Sequence, residues 1–317
     1  MLLNNKLNTS QIMLQVICAL FLGIAANYYY FGWGIIFQVI LAIITSIIVE
    51  SIFLSIRKLP IKSTITDFSG ILTAILLAVS IPSIAPWWII VLGTSFAIIF
   101  GKHIYGGLGH NPFNPAMLGY AFLLISYPLQ MTTWANVFLG IEQSFDLIFN
   151  AKSFNAISGA TLLDDIKTKL SLGKFVNEIY TTSDSQIWIN IGFLLGGIYL
   201  LIRKIIYFHI PLAFLLGLSL TSLILSLIDS DLYMPFYFHL ITGATMLGAF
   251  FIATDPVSSS TTPIGRLIYG FCIGVLVIII RVFGGYPDGI AFAVLLMNIT
   301  VPLIDYYTKP KIFGDKN

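Results

Sequence analysis

Ser158-Gly159-Ala160-Thr161 presents a threonine hydroxyl behind two residues with almost no side chain. A hydroxyl on such unobstructed backbone can be joined to flavin mononucleotide through a phosphoester, because a transferring enzyme needs room to reach the oxygen. The same residues also read as a helix start. Thr161-x-x-Asp164 fits a capping box, and 162–170 can form a short helix behind it. The tetrapeptide leaves both readings open.

Two further stretches are polar within apolar surroundings. Residues 106–116 read GGLGHNPFNPA, with Asn111 and Asn114 each before a proline. Asn at the N-cap with Pro at the first helical position starts a helix well. Free N–H groups and the helix dipole at such a start can hold a ring carbonyl or an anion, and dense glycine suits close backbone approach. A tight turn into the next helix is the plainer alternative. Residues 254–263 read TDPVSSSTTP and precede Arg266. There Asp255 serves as a turn cap or as a functional carboxylate. Asp288 follows Gly284-Gly285-Tyr286-Pro287 and can pair with Arg281 near the outer surface. Ionisable groups at or inside apolar segments are costly and mark functional sites. Asp67, Asp255 and Asp288 are therefore candidates for an ion path, and Glu50 is a further functional candidate. For Asp67 a helix cap is the favoured reading.

Other chemistries lack their residues. No Walker loop, nucleophile elbow or dinucleotide fingerprint occurs. His103, His110, His209 and His239 show no metal-ligand spacing, and no metal is expected. Cys18 and Cys272 are too few for an iron–sulfur cluster or a structural zinc and read as small buried hydrophobes.

Membrane spans must position these residues. The chain has 317 residues, of which 16 are Lys or Arg and 14 Asp or Glu, with 57% hydrophobic. Charged residues make up 9%, against roughly 25% in soluble domains, and the mean hydropathy is +0.93. This excludes a soluble enzyme, a nucleic-acid binder and a disordered regulator. A span needs about 20 apolar residues. Ten candidates lie near 11–30, 33–56, 67–81, 86–100, 115–134, 186–202, 205–228, 236–253, 265–283 and 286–305. The first lacks a cleavage-site ending and reads as a span rather than a signal peptide. The third and fourth have apolar runs too short to cross the hydrocarbon unless they extend or are broken inside the bundle. Broken helices mark binding sites in transport folds.

Positive charge sets the orientation. With the N-terminus inside, Lys6, Arg57, Lys58, Lys62, Lys102, Arg203, Lys204, Arg266, Lys309, Lys311 and Lys316 fall on inner segments. Short outer loops hold only Arg281, and the remaining lysines lie in the long loop 135–185, where the bias carries little weight. Both termini are thus expected on the cytoplasmic side, with 135–185 outside. The halves 1–134 and 186–317 echo each other. Ser69-Gly70 matches Thr242-Gly243, Ser80-Ile81-Pro82 matches Thr254-Asp255-Pro256, and Gly106-Gly107 matches Gly284-Gly285. With an odd number of spans in each half, the second must enter from the opposite side, giving inverted repeats. The expected fold is an all-α polytopic membrane protein of about ten helices in two five-helix repeats with one long outer loop.

Four segments together resemble one family: 106–116, 158–161 (SGAT), 254–263, and 284–307 (GGYPDGIAFAVLLMNITVPLIDYY). They are similar, in order, to the D subunits of the bacterial Rnf (Rsx) ion-translocating electron-transport complexes. Those are related to the B subunit of the sodium-pumping NADH:quinone oxidoreductase. The resemblance implies ten helices in two inverted repeats, bacterial inner-membrane location and FMN bound covalently to Thr161. Ser158 and Gly159 are flanking contacts, with Asn111 and Asn114 further candidates for binding a cofactor. A second, non-covalent flavin in the membrane part is carried as an expectation. The implied partners are the A, B, C, E and G subunits, which hold the iron–sulfur clusters and the NADH or ferredoxin site, and a flavin transferase for maturation. Flavinylation motifs often have Asp six positions before the acceptor, where this chain has Asn155. The alternative is an inverted-repeat solute channel or transporter without a redox cofactor.

Overall fold

The computed structural model describes residues 8–150, 158–179, 183–286 and 288–310. In chain order the first membrane part has helices α1 (Thr9–Phe31), α2 (Gly34–Ile56), α3 (Ile61–Ile65), α4 (Ser69–Ser80), α5 (Trp87–Phe96), α6 (Pro115–Ser126) and α7 (Pro128–Thr132). A π-helical turn, Ala97–His103, continues α5. The connecting segment carries strand β1 (Trp134–Ala135), α8 (Ile141–Phe149), strand β2 (Ser158–Gly159), α9 (Leu162–Ser171) and α10 (Val176–Ile179). The second part has α11 (Asp184–Ile202), α12 (His209–Ile228), α13 (Phe236–Ile241), α14 (Thr245–Leu247), α15 (Pro263–Phe283) and α16 (Ile290–Thr308). A second π-helical turn, Gly248–Ile252, follows α14.

Among the described residues, six helices are long and apolar enough to cross a membrane: α1, α2, α11, α12, α15 and α16. Their outward faces are apolar too. On α2, Ile40, Ile44, Ile48 and Ile52 are exposed at four-residue spacing. Such a stripe would drive aggregation in water and suits hydrocarbon. Helices α12 and α15 cross where Gly217, Gly270 and Gly274 face the opposing backbone, leaving no room for a Cβ. Small residues let membrane helices approach this closely. The chain is therefore a polytopic membrane protein. Helix α1 packs along α11, and α6 along α16.

Several boundaries differ from the sequence expectation. The stretch expected as a span over 236–253 is broken: α13 ends at Ile241, Gly243 takes φ +63°, and the helix resumes at Thr245. The expected span over 115–134 stops at Ser126 because Pro128 has no N–H to continue it. The stretch expected to end at residue 100 instead runs to His103 through the π-helical turn. Cys18 is exposed on the outer face of α1 rather than buried.

Each break leaves backbone groups that hydrocarbon cannot satisfy, and buried side chains take them up. Asn190 on α11 donates to Ile241 O at 3.1 Å and Gly243 O at 2.9 Å, and its Oδ1 accepts from Met246 N at 3.1 Å. Asp67 Oδ1 accepts from Ser69 N at 2.7 Å and so caps α4. Replacing Asn190 by Leu strands three backbone groups. We expect a loss of about 3 kcal/mol, seen as a lower unfolding midpoint in detergent. Leu at the exposed Cys18 should leave the midpoint unchanged.

Candidate functional site

The bundle has two polar ends. Arg57, Arg203, Lys204 and Arg266 flank helix ends at one, here called the basic face. The connecting segment emerges at the other, the loop face. On the loop face, β1 and β2 pair antiparallel, with Trp134 opposite Gly159 and Ala135 opposite Ser158. The Asn136 side chain lies so close to Gly159 that a Cβ there would overlap its amide. A larger residue at this position would have to displace that amide.

Two residues on, Thr161 is the N-cap of α9, and its Oγ1 accepts from Asp164 N at 3.2 Å. The capping expectation holds, with the helix running over Leu162–Ser171. One turn further, Lys167 Nζ donates to Arg281 O at 3.2 Å, to Gly284 O and to Tyr286 O at 3.4 Å. These are freed carbonyls at the end of α15, so Lys167 clips α9 onto the membrane part. Burial pushes its ammonium below the ordinary lysine value, and Asp164 pulls the other way. Thr161, half-buried, lies on a cavity of about 150 Å³ whose walls include Trp134, Tyr120, Phe31, Met117, Asn190 and Asp288.

Arg281 and Asp288 form the expected pair at 3.1 Å. Its setting is different from an outer surface, because the Arg281 side chain is 1% exposed. The guanidinium also donates to His239 O at 3.2 Å and Thr245 Oγ1 at 3.0 Å, while Asp288 Oδ2 accepts from Ala244 N at 2.9 Å. The pair holds both sides of the break between α13 and α14. Asn155 lies outside the described residues.

On the basic face, Asn114 caps α6 by accepting from Met117 N at 3.1 Å, with Pro115 at the first helical position as expected. Its Nδ2 donates to Ile252 O, and its backbone N–H donates to Asn298 Oδ1. Asn111 caps no helix. Its Nδ2 donates to Phe113 O at 3.0 Å, and its buried Oδ1 has no partner among the described residues. Gly106, Gly107 and Gly109 all have φ near +100°, which only glycine adopts freely. Asp255 accepts from the Ser258 hydroxyl at 2.6 Å. Asn111, Asn114 and Asp255 line a second cavity, of about 390 Å³, with Lys102, Ser69 and Thr254.

The charge pattern puts Lys102 on an inner segment between spans, but the structure buries it. It is 1% exposed and bonded to Glu50 Oε1 at 2.5 Å, on an oxygen that His103 Nε2 also meets at 3.0 Å. The only trace of this in the sequence is a lone cation closing an apolar run. Arg281 carries the same trace, and Asn190 carries none. The two cavities are lined by neighbouring residues of the same elements. Met117 and Ile252 line the loop-face cavity, while their neighbours Ala116 and Phe251 line the basic-face one. Thr161 and Asp288 thus share one cavity, Asn111, Asn114 and Asp255 share the other, and Asp67 reaches the second through Ser69.

Long apolar helices, with shorter broken ones stitched by buried polar side chains, define a polytopic membrane protein. The family model described as NQR2, RnfD, RnfE matches residues 2–314, and the chain belongs to that family. It is 49% identical to the D subunit of the ion-translocating oxidoreductase complex from Salmonella paratyphi A, covering 99% of this chain and 96% of that protein. The identity and coverage are the same for the Salmonella typhi protein of that name.

Removing one partner of a buried pair costs more than removing both. Arg281→Leu should therefore lower stability by about 3 kcal/mol. Arg281→Leu with Asp288→Leu should recover part of it, as read from unfolding midpoints of the detergent-solubilised chain.

Proposed function

We propose that this chain is the flavin-carrying membrane subunit of a bacterial complex coupling electron transfer to ion translocation across the inner membrane. One observation carries the reading: Thr161 stands on a partly open cavity, with Phe31, Tyr120, Trp134 and Phe193 among its walls and its hydroxyl at a helix N-terminus. The residues fit a flavin phosphate. The N–H groups of Leu162 and Leu163 precede the first backbone bond of α9 and can meet phosphate oxygens. Trp134 and Tyr120 offer aromatic surface beside it. Attached to Thr161, FMN supplies a one- or two-electron relay. The chain's own groups orient it: Gly159 fixes the strand, and Lys167 fixes the helix.

The basic-face cavity suits a second, non-covalent flavin. It offers the buried, unpartnered Asn111 Oδ1 as an acceptor and the Lys102 ammonium as a donor. Asp67 and Asp255 on that side and Asp288 on the other are the carboxylates proposed to meet a translocated ion. Charge distribution supports a cytoplasmic basic face, cytoplasmic termini and a periplasmic 135–185 loop.

The reading divides the chain into five-helix repeats at 1–134 and 186–317. Support comes from matched details. Lys102, ahead of Gly106, bonds the Ser69 hydroxyl, and Arg281, ahead of Gly284, donates to Thr242 O at 3.5 Å. Ser80 and Thr254 each bond the carbonyl four residues back. The resemblance adds the A, B, C, E and G subunits and a flavin transferase as partners.

A solute channel without a cofactor is the rival, favoured by the two back-to-back cavities. Co-expression with a flavin transferase separates the two. The denatured wild-type band should fluoresce under ultraviolet light, Thr161→Ala should be dark, and Thr161→Ser should keep a signal. A dark wild-type band supports the channel, and a fluorescent Thr161→Ala band moves the attachment elsewhere.

A further inference from the structure

One hydrogen-bonded line on the basic face has no role in flavin attachment. Lys102 Nζ donates to the Ser69 hydroxyl at 2.7 Å, and that hydroxyl donates to Asp67 Oδ1 at 2.5 Å. Lys102 and Ser69 are buried and line the basic-face cavity, while Asp67 is half-buried at the helix start. The line therefore runs from that face to the cavity. Lys102 is the one cation among the described residues lining it.

Charged and titratable groups face Lys102 from several of the elements packed against it. Glu50 approaches from α2, His103 from its own helix, Asp67 through Ser69, and Asp255 from across the cavity. Arg57 bonds the His103 carbonyl, and α1 offers the cavity Thr9, Ile12, Met13 and Val16, without charge. Glu50 thus sits between two bases. A buried carboxylate needs one cationic partner to remain compensated. Lys102 and His103 both meet Glu50 Oε1, which holds the Lys102 side chain in line with Ser69.

We propose that Asp67, Ser69 and Lys102 deliver protons from the basic face to a redox ring in the cavity, with Glu50 and His103 as positioning residues. This rests on the reading that the cavity holds a non-covalent flavin. Electrons come from the partner oxidoreductase subunits. With a ring bound, Lys102 Nζ would give up one proton toward the cavity as the Ser69 hydroxyl, turned from Asp67 toward Nζ, gives its own proton to Nζ and takes one from a protonated Asp67 carboxyl. Lys102 thus leaves the step as the ammonium it began as, and water on the basic face returns the proton to Asp67.

The test uses the assembled complex carrying Thr161→Ala, so that its remaining flavin in this subunit is non-covalent. Flavin released on denaturation is quantified by subunit, and its reduction is followed by stopped-flow absorbance. Adding Ser69→Ala or Asp67→Asn should leave flavin content unchanged and slow reduction about 100-fold, with imidazole buffer restoring part of the rate. Lys102→Met should slow the reduction in the same way while leaving the pH slope of the flavin's potential unchanged. An unchanged rate, or a slow rate that no added acid restores, overturns the relay while leaving the cavity reading intact. Absence of releasable flavin from this subunit overturns the cavity reading, and the relay with it.

Discussion

A backbone N–H or C=O released inside hydrocarbon must find a partner within the protein. This chain interrupts its crossing elements at Phe68, at Asn111–Asn114 and at Thr242–Ala244, and the rest of its architecture follows from how those interruptions are satisfied. Asn190 bonds both lips of the third break, and Asn114 joins the start of α6 to Ile252 O. Asn298 accepts from Asn114 N and donates to Ser258 O and the Tyr269 hydroxyl. A single asparagine can both donate and accept, which is why this residue recurs where a helix end must be matched.

Two of the repairs use full charges. Lys102 and Arg281 are each buried, and each bonds a hydroxyl near the start of a resumed helix. Each is neutralised by a carboxylate, Glu50 or Asp288. Buried pairs add little net stability compared with apolar packing. Their value here is positional, because they leave polar groups beside a cavity. The cavities are then the space that resumed helices fail to fill, already lined by the groups that repaired the breaks. Function in this architecture grows out of the solution to a backbone problem.

Much of this was legible in the chain. Long uniform apolar runs fixed the six long helices, since no other structure satisfies such a run in lipid. Thr161 and Asn114 read as caps because their signatures are local. Other features depend on contacts distant in sequence. Nothing near Asn190 announces that it will bond residues 241, 243 and 246. Lys102 looks like a loop cation unless Glu50, on another helix, is known to face it. The break at Gly243 lies within an apolar stretch that hydropathy averages over. Thr161 was legible as a residue, but its cavity was not, because the walls come from helices in both halves.

The central proposal is that each face holds one flavin site, the loop-face one covalent at Thr161 and the basic-face one not. The most direct measurement is a high-resolution electron cryomicroscopy map of the assembled complex in lipid. The account predicts planar density in the loop-face cavity joined to Thr161 Oγ1, and separate planar density beside Lys102 and Asn111. Cavities filled by lipid or protein side chains, with no density joined to Thr161, would contradict it.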